Sequence, residues 1–205
     1  MKLKNCTGCS LSKTRANVVV GKGSLNAKVV FLGDLPIKKE DESGIPFIGK
    51  EGKMFDKVLK AAGLSEGDYY VTNVIKCRNL LPNGMAGKPT PEQIVKCGRW
   101  LNIQLNRIKP GLIVAMGGYA KDRLLDLPGP VSRFVGKAFV SETYNTVFVM
   151  YHPATLLYNY DEYRPKFRKH LAKLRQLIAA LDLENENYWN KIEPNAELDR
   201  IWQKK

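Results

Sequence analysis

The stretch Lys28-Val29-Val30-Phe31-Leu32-Gly33-Asp34-Leu35-Pro36 sets the reading of the whole chain. Four apolar residues in a row, stopped by glycine, predict a short buried strand. A polar motif follows that strand at once. The same pattern recurs downstream. Tyr69-Tyr70-Val71-Thr72-Asn73-Val74-Ile75 predicts a second strand, Gly111 to Gly117 a third, and Thr146-Val147-Phe148-Val149-Met150 a fourth. Helical patterns separate them. Lys53 to Ala62 places Met54, Val58 and Leu59 on one face and is stopped by Gly63. Thr90-Pro91-Glu92-Gln93 opens a second helix with a cap, a first-turn proline and a capping-box glutamine, running to about Ile108. A short helix fits Tyr119 to Leu125, and a long amphipathic one fits Arg164 to Leu181. Asp34–Gly52 and Asn79–Pro91 read as polar loops.

Strands alternating with helices predict an α/β fold. It is expected to be a three-layer sandwich with a central, mostly parallel four-stranded sheet flanked by helices. Sites in such sheets lie beyond the carboxyl ends of the strands. Asp34, Asn73, Gly117 and His152 all fall at those ends, which argues that they share one site.

The chain has 205 residues, 44% of them hydrophobic, enough for one domain with an ordinary core. Residues 1–181 are expected to form that domain and 182–205 a charged tail, with Tyr188, Trp189, Ile201 and Trp202 as apolar anchors. No run of eighteen apolar residues excludes a membrane span, and the start Met1-Lys2-Leu3-Lys4-Asn5-Cys6 lacks a signal-peptide pattern. The expected location is therefore cytoplasmic, associated with the nucleoid. A net charge of +13 fits a polyanionic partner, although the basic residues are dispersed and form no arginine-rich arm.

In a reducing compartment, cysteines are metal ligands or core residues more often than disulfides. Cys6 and Cys9 form a CxxC in a polar segment, followed by the single Cys77 and Cys97. Zinc ribbons pair two CxxC knuckles, whereas this spacing suits an iron–sulfur cluster tying the N-terminal segment to the body. Buried core thiols are the alternative for Cys77 and Cys97 taken singly.

Three motifs, together with the cysteines, resemble those of the family 4 (iron–sulfur) uracil-DNA glycosylases, over about Cys6 to Leu181. They are Gly33-Asp34-Leu35-Pro36-Ile37 with Gly44-Ile45-Pro46-Phe47-Ile48-Gly49, Thr72-Asn73-Val74-Ile75-Lys76-Cys77-Arg78, and His152-Pro153-Ala154-Thr155-Leu156-Leu157. The resemblance implies a monofunctional enzyme that flips uracil out of DNA and hydrolyses its glycosidic bond. It implies Cys6, Cys9, Cys77 and Cys97 as ligands of a structural 4Fe-4S cluster, with no cofactor in the chemistry. It further implies DNA as partner, single- or double-stranded, and a monomer. A replication or repair protein is an expected partner of the tail.

The implied roles follow physical logic. Phe47 is the stacking platform, unless it is simply a core side chain. The Asn73 amide carries both a donor and an acceptor to read the uracil edge, unless it caps a turn. His152 donates to the base as negative charge builds on it. Asp34 and Glu40 position water and favour a cationic sugar, although Glu40 sits in a charge run that reads equally as a solvated loop. Leu156 is the wedge that fills the vacated stack, or a core leucine. The other histidine, His170, falls in a helix pattern where a surface role is the default.

Three positions depart from the family pattern. Asp34 replaces a glutamate, Leu35 stands against the water or sugar where a small residue is usual, and Ile37 replaces a glycine. A branch that forms a covalent adduct through a histidine in an inserted loop is rejected, because Asn79–Pro91 contains none. Two other readings compete: a DNA-binding module that kept fold and cluster without catalysis, and a glycosylase for another deaminated base.

Overall fold

The computed structural model describes residues 2–81 and 83–181. The expected tail, with its four anchors, lies outside the described residues. The sheet has six strands, not four: β1 (Lys22–Gly23), β2 (Val29–Gly33), β3 (Tyr69–Asn73), β4 (Leu112–Met116), β5 (Ala138–Ser141) and β6 (Asn145–Met150), in the order β1-β3-β2-β4-β6-β5. The four central strands are the expected ones and are mutually parallel. The two additions are antiparallel edges. A two-residue β1 is too short to show any period. Half-exposed β5 offers only Ala138-Phe139-Val140, with Val140 turned to solvent, and its link to β6 turns through Asn145 at φ 57°.

Helices α1 (Lys38–Ser43), α2 (Gly49–Ala62), α3 (Pro91–Ile108), α4 (Gly118–Leu125), α5 (Thr155–Tyr158) and α6 (Tyr160–Leu181) complete the architecture. The capping box of α3 forms as read. Gln93 N donates to Thr90 Oγ1 at 3.2 Å, and Thr90 N donates to Gln93 Oε1 at 2.9 Å. Helix α2 starts four residues before the expected Lys53, and α6 four before Arg164. The expected loop after Asp34 contains α1. Its charge run is amphipathic: Lys38, Lys39 and Glu42 are exposed, while Glu40 and Asp41 are buried.

Two apolar clusters fill the faces of the sheet. One gathers Val29, Phe31, Phe47, Phe55 and Leu156 with Phe167, Leu171 and Leu174 of α6. The other gathers Val30, Leu32, Leu101 and Leu105 of α3, Leu124 of α4, and Leu3 and Leu11 from the N-terminal segment. Alternation along β2 sends Val29 and Phe31 one way and Val30 and Leu32 the other. Phe31 meets Phe55 edge-to-face at 5.2 Å. Burial of each such ring contributes roughly 1.5–3 kcal/mol of transfer free energy.

Chain order reverses between β2 and β4, since β3 lies on one side of β2 and β4 on the other. That switch point opens a crevice at the carboxyl ends of the strands. Asp34 leaves β2 there, and Gly117 leaves β4 opposite it. No described helix is long and apolar enough to cross a membrane.

Candidate active site

Gly33 and Asn73 are direct neighbours across the parallel β2–β3 pair. A Cβ on Gly33 would lie 2.3 Å from Asn73 Oδ1 and 3.1 Å from Phe47 Cζ. Glycine is therefore required there for the carboxamide and the phenyl ring to approach the strand end. Phe47 in turn stacks on His152, with centroids 5.4 Å apart and planes 27° apart. Phe47, Asn73 and His152 thus meet at one place, as expected.

Asn73 is 2% exposed, and its Nδ2 meets no acceptor among the described residues. A buried donor left unpaired costs about 1–3 kcal/mol. Next to it, Lys76 is fully buried and donates from Nζ to Thr72 Oγ1 and to the Asn73 carbonyl, both at 2.6 Å. Lys76 holds the strand end from which Asn73 projects. Its position three residues on from Asn73 is visible in the sequence, but its burial is not.

His152 accepts a hydrogen bond at Nδ1 from Ala154 N, 3.2 Å away. The proton of the neutral ring is thereby placed on Nε2. Burial pushes His152 down to about 4, so the ring is neutral at pH 7.

Asp34 sits across the switch point. Its Oδ1 accepts from Ala120 N at 2.8 Å, and the amides of Gly118 and Tyr119 also donate to the carboxylate. The group therefore caps the first turn of α4. Burial raises its pKa to about 6 against the pull of those amides. Gly117 stands at φ 125°, and a Cβ there would lie 2.3 Å from Asp34 Oδ2. Both its backbone and this close approach demand glycine.

Glu40 is anchored to backbone at both oxygens. Oε1 accepts from Phe47 N at 2.5 Å and Oε2 from Ile37 N at 3.1 Å. Burial raises its pKa, and those two amides oppose the rise. Phe47 itself is held at φ 52°, a strained conformation for a bulky residue. Glu40 thus fixes the ring that sequence assigned to stacking, rather than lying in a solvated loop. Replacing Glu40 with alanine strands two inward amides and is expected to cost about 1–3 kcal/mol in urea denaturation.

Two expected contacts are not brought to the group. Leu35 is half-buried against the cluster on the α3 face, not the cluster that holds Phe47. Leu156 is 2% exposed inside the α6-side core. A side chain so packed has no free surface to enter a base stack. The turn exposes Leu157 and Tyr158 instead. His170, expected on the surface, is buried and stacks on Tyr151 at 5.8 Å.

All four cysteines line one cavity, and none is in a disulfide. The sulfurs accept polar contacts: Trp100 Nε1 at 3.1 Å on Cys6, Lys76 N at 3.3 Å on Cys97, and Arg15 Nη1 at 3.7 Å on Cys77. Among the described residues, no three His, Cys, Asp or Glu side chains converge on a single-ion position. The four expected ligands therefore face one shared cavity.

A sequence model of the Uracil DNA glycosylase superfamily matches residues 20–178, which span β1 through most of α6. The chain belongs to that superfamily. A type-4 uracil-DNA glycosylase from Archaeoglobus fulgidus is 39% identical to it over 178 residues, 82% of this chain and 87% of the relative. One from Thermotoga maritima is 41% identical over 125 residues, 61% of this chain and 63% of the relative. One from Saccharolobus solfataricus is 29% identical over 195 residues, 91% and 88% of the two chains. Within this uracil-DNA glycosylase fold, Lys76 and Gly33 are supports that the sequence reading did not assign, while Gly117, placed at the site from sequence, acts by admitting the Asp34 carboxylate. The signal for Gly33 was present: it ends an apolar strand directly before Asp34.

Proposed function

We propose that this chain is a monofunctional glycosylase that extrudes uracil from DNA and hydrolyses its glycosidic bond, leaving an abasic site. The observation that carries this reading is the buried, unpaired Nδ2 of Asn73 at the spot where Phe47 and His152 meet. An unpaired buried donor is costly unless a ligand uses it. Uracil O4 is an acceptor for that amide, and N3–H is a donor for Oδ1. Thymine presents the same edge but adds a C5 methyl group, so the edge alone does not set the choice. Phe47 supplies a π face for the extruded ring.

Bond cleavage leaves negative charge on the base and positive charge on the sugar. His152, neutral with its proton on Nε2, donates to O2 as that charge develops. Such a donor stabilises the transition state more than the ground state. Asp34, ionised above about pH 6, faces the cationic sugar and orients water. Glu40 acts at one remove, by setting Phe47.

All four cysteines line one cavity, which supports a metal centre there, and one CxxC with two separate cysteines favours an iron–sulfur cluster over a zinc ribbon. Burial pushes the Cys77 thiol up to about 12 and raises Cys97, so without a metal both stay protonated, and ligation there would release their protons. A 4Fe-4S cluster, when bound, would be structural and would link the N-terminal turns to β3 and α3. We include in the proposal a monomeric state, nucleoid association, and a repair or replication partner for residues 182–205.

The deciding assay is uracil release from a labelled single-stranded oligonucleotide. Release by the purified protein is expected, together with a visible sulfur-to-iron absorption band that is lost in Cys6→Ser. Folded, metal-replete protein that releases no uracil would refute the activity. Colourless protein with stoichiometric zinc would refute the cluster.

A further inference from the structure

We infer that Tyr158 is the side chain that enters the base stack when the target nucleotide leaves it. This rests on the glycosylase reading above. The turn that carries His152 continues directly into α5, with Thr155 N donating to the His152 carbonyl at 3.0 Å and Leu157 N to the Ala154 carbonyl at 2.9 Å. Those bonds couple α5 rigidly to the base-contacting histidine. Of the three large residues on α5 that could occupy a vacated stack, Leu156 is consumed by the core. Leu157 is 38% exposed and Tyr158 is 83% exposed. Helical rotation explains the split: successive residues point about 100° apart, so burying Leu156 turns its neighbours outward.

The Tyr158 ring stands free on the turn that carries His152, where a partner bound at the site can cover it. Among the described residues its ring stacks on no other aromatic side chain, and α5 packs on α2 and α6. DNA supplies the matching surface, because every base has a π face. A ring on this turn stacks on the base beside the gap and resists return of the extruded nucleotide. An aromatic ring in this role also stacks on bases of an unpaired strand. The gain is larger on duplex, where the gap must be held open against re-pairing.

The test separates binding from catalysis. Duplex and single-stranded oligonucleotides carrying a stable abasic analogue are prepared with 2-aminopurine beside the lesion. Fluorescence and affinity are measured for the wild type, Tyr158→Ala and Tyr158→Phe. Stacking predicts 2-aminopurine quenching by the wild type and Tyr158→Phe. It also predicts about a tenfold weaker duplex affinity in Tyr158→Ala, with a smaller loss on the single strand. Tyr158→Ala indistinguishable from wild type overturns the inference. So does Tyr158→Phe as weak as Tyr158→Ala, which assigns the hydroxyl rather than the ring. Because no base release is read, a protein that binds in this pattern without excising uracil refutes the glycosylase reading and leaves Tyr158 in place.

Discussion

Replacing His152 with alanine is expected to slow single-turnover uracil release about 10²–10³-fold, the usual cost of losing one positioned donor to a developing oxyanion. The ring is fixed twice, by the Ala154 amide on Nδ1 and by the Phe47 ring stacked on it. Its proton therefore points from Nε2 without any rearrangement during the reaction. Substrate affinity should change much less than the rate, because the ground-state carbonyl carries little charge. Asn73→Ala is expected to show a different signature. On the proposed reading it removes an amide that contacts the base edge in both ground and transition states, so affinity and rate both fall. Equal rates for His152→Ala and the wild type would remove the histidine from the chemistry.

The second large effect concerns pH. Asp34 has its pKa raised to about 6 by burial, and His152 has its pKa lowered to about 4. If the Asp34 carboxylate serves the cationic sugar, the single-turnover rate falls about tenfold per pH unit below 6. His152 stays neutral through that window and adds no limb of its own. Asp34→Asn is expected to flatten the profile between pH 5 and 8 and to slow the plateau about 10²-fold. An unchanged acid limb in Asp34→Asn would reassign it to another group. Stability runs in opposite directions for the two residues. Folding raises the Asp34 pKa, so its contribution is greatest below about pH 4 and declines as pH rises through 6. Folding lowers the His152 pKa, so its contribution is present above about pH 6.5 and is lost as pH falls toward 4.

The central strands were legible because β2 and β4 are buried throughout as near-unbroken apolar runs, and β3 and β6 keep the apolar stretches Tyr69-Tyr70-Val71 and Val147-Phe148-Val149-Met150 beside polar ends. The capped start of α3 was legible because capping is local chemistry. What stayed hidden is tertiary. Helix α1 lies in a charge run, and only the folded chain shows that Glu40 and Asp41 turn inward to take backbone amides from Phe47 and from Ala16. Leu156 and Leu157 are chemically identical neighbours. A rotation about the helix axis decides which one is core, and sequence does not fix that phase over four residues. His170 was placed outside by the same ambiguity. The residues that meet at the site were legible individually, whereas their supports, Lys76, Gly33 and Gly117, act through burial and close approach that no short motif displays.

The central sheet also works as a bulkhead. Phe47 and Leu156 belong to the apolar cluster on one side, and Cys77 and Cys97 to the cluster on the other. Side chains on opposite faces share few partners, so their substitutions should combine nearly additively. Substitutions in the sulfur-lined compartment are therefore expected to perturb Phe47 and Leu156 little. Lys76 is one side-chain tie: its Nζ bonds the Asn73 carbonyl, and it lines the thiol cavity with Cys77. Two interiors in one small domain give evolution separate dials for robustness and for chemistry.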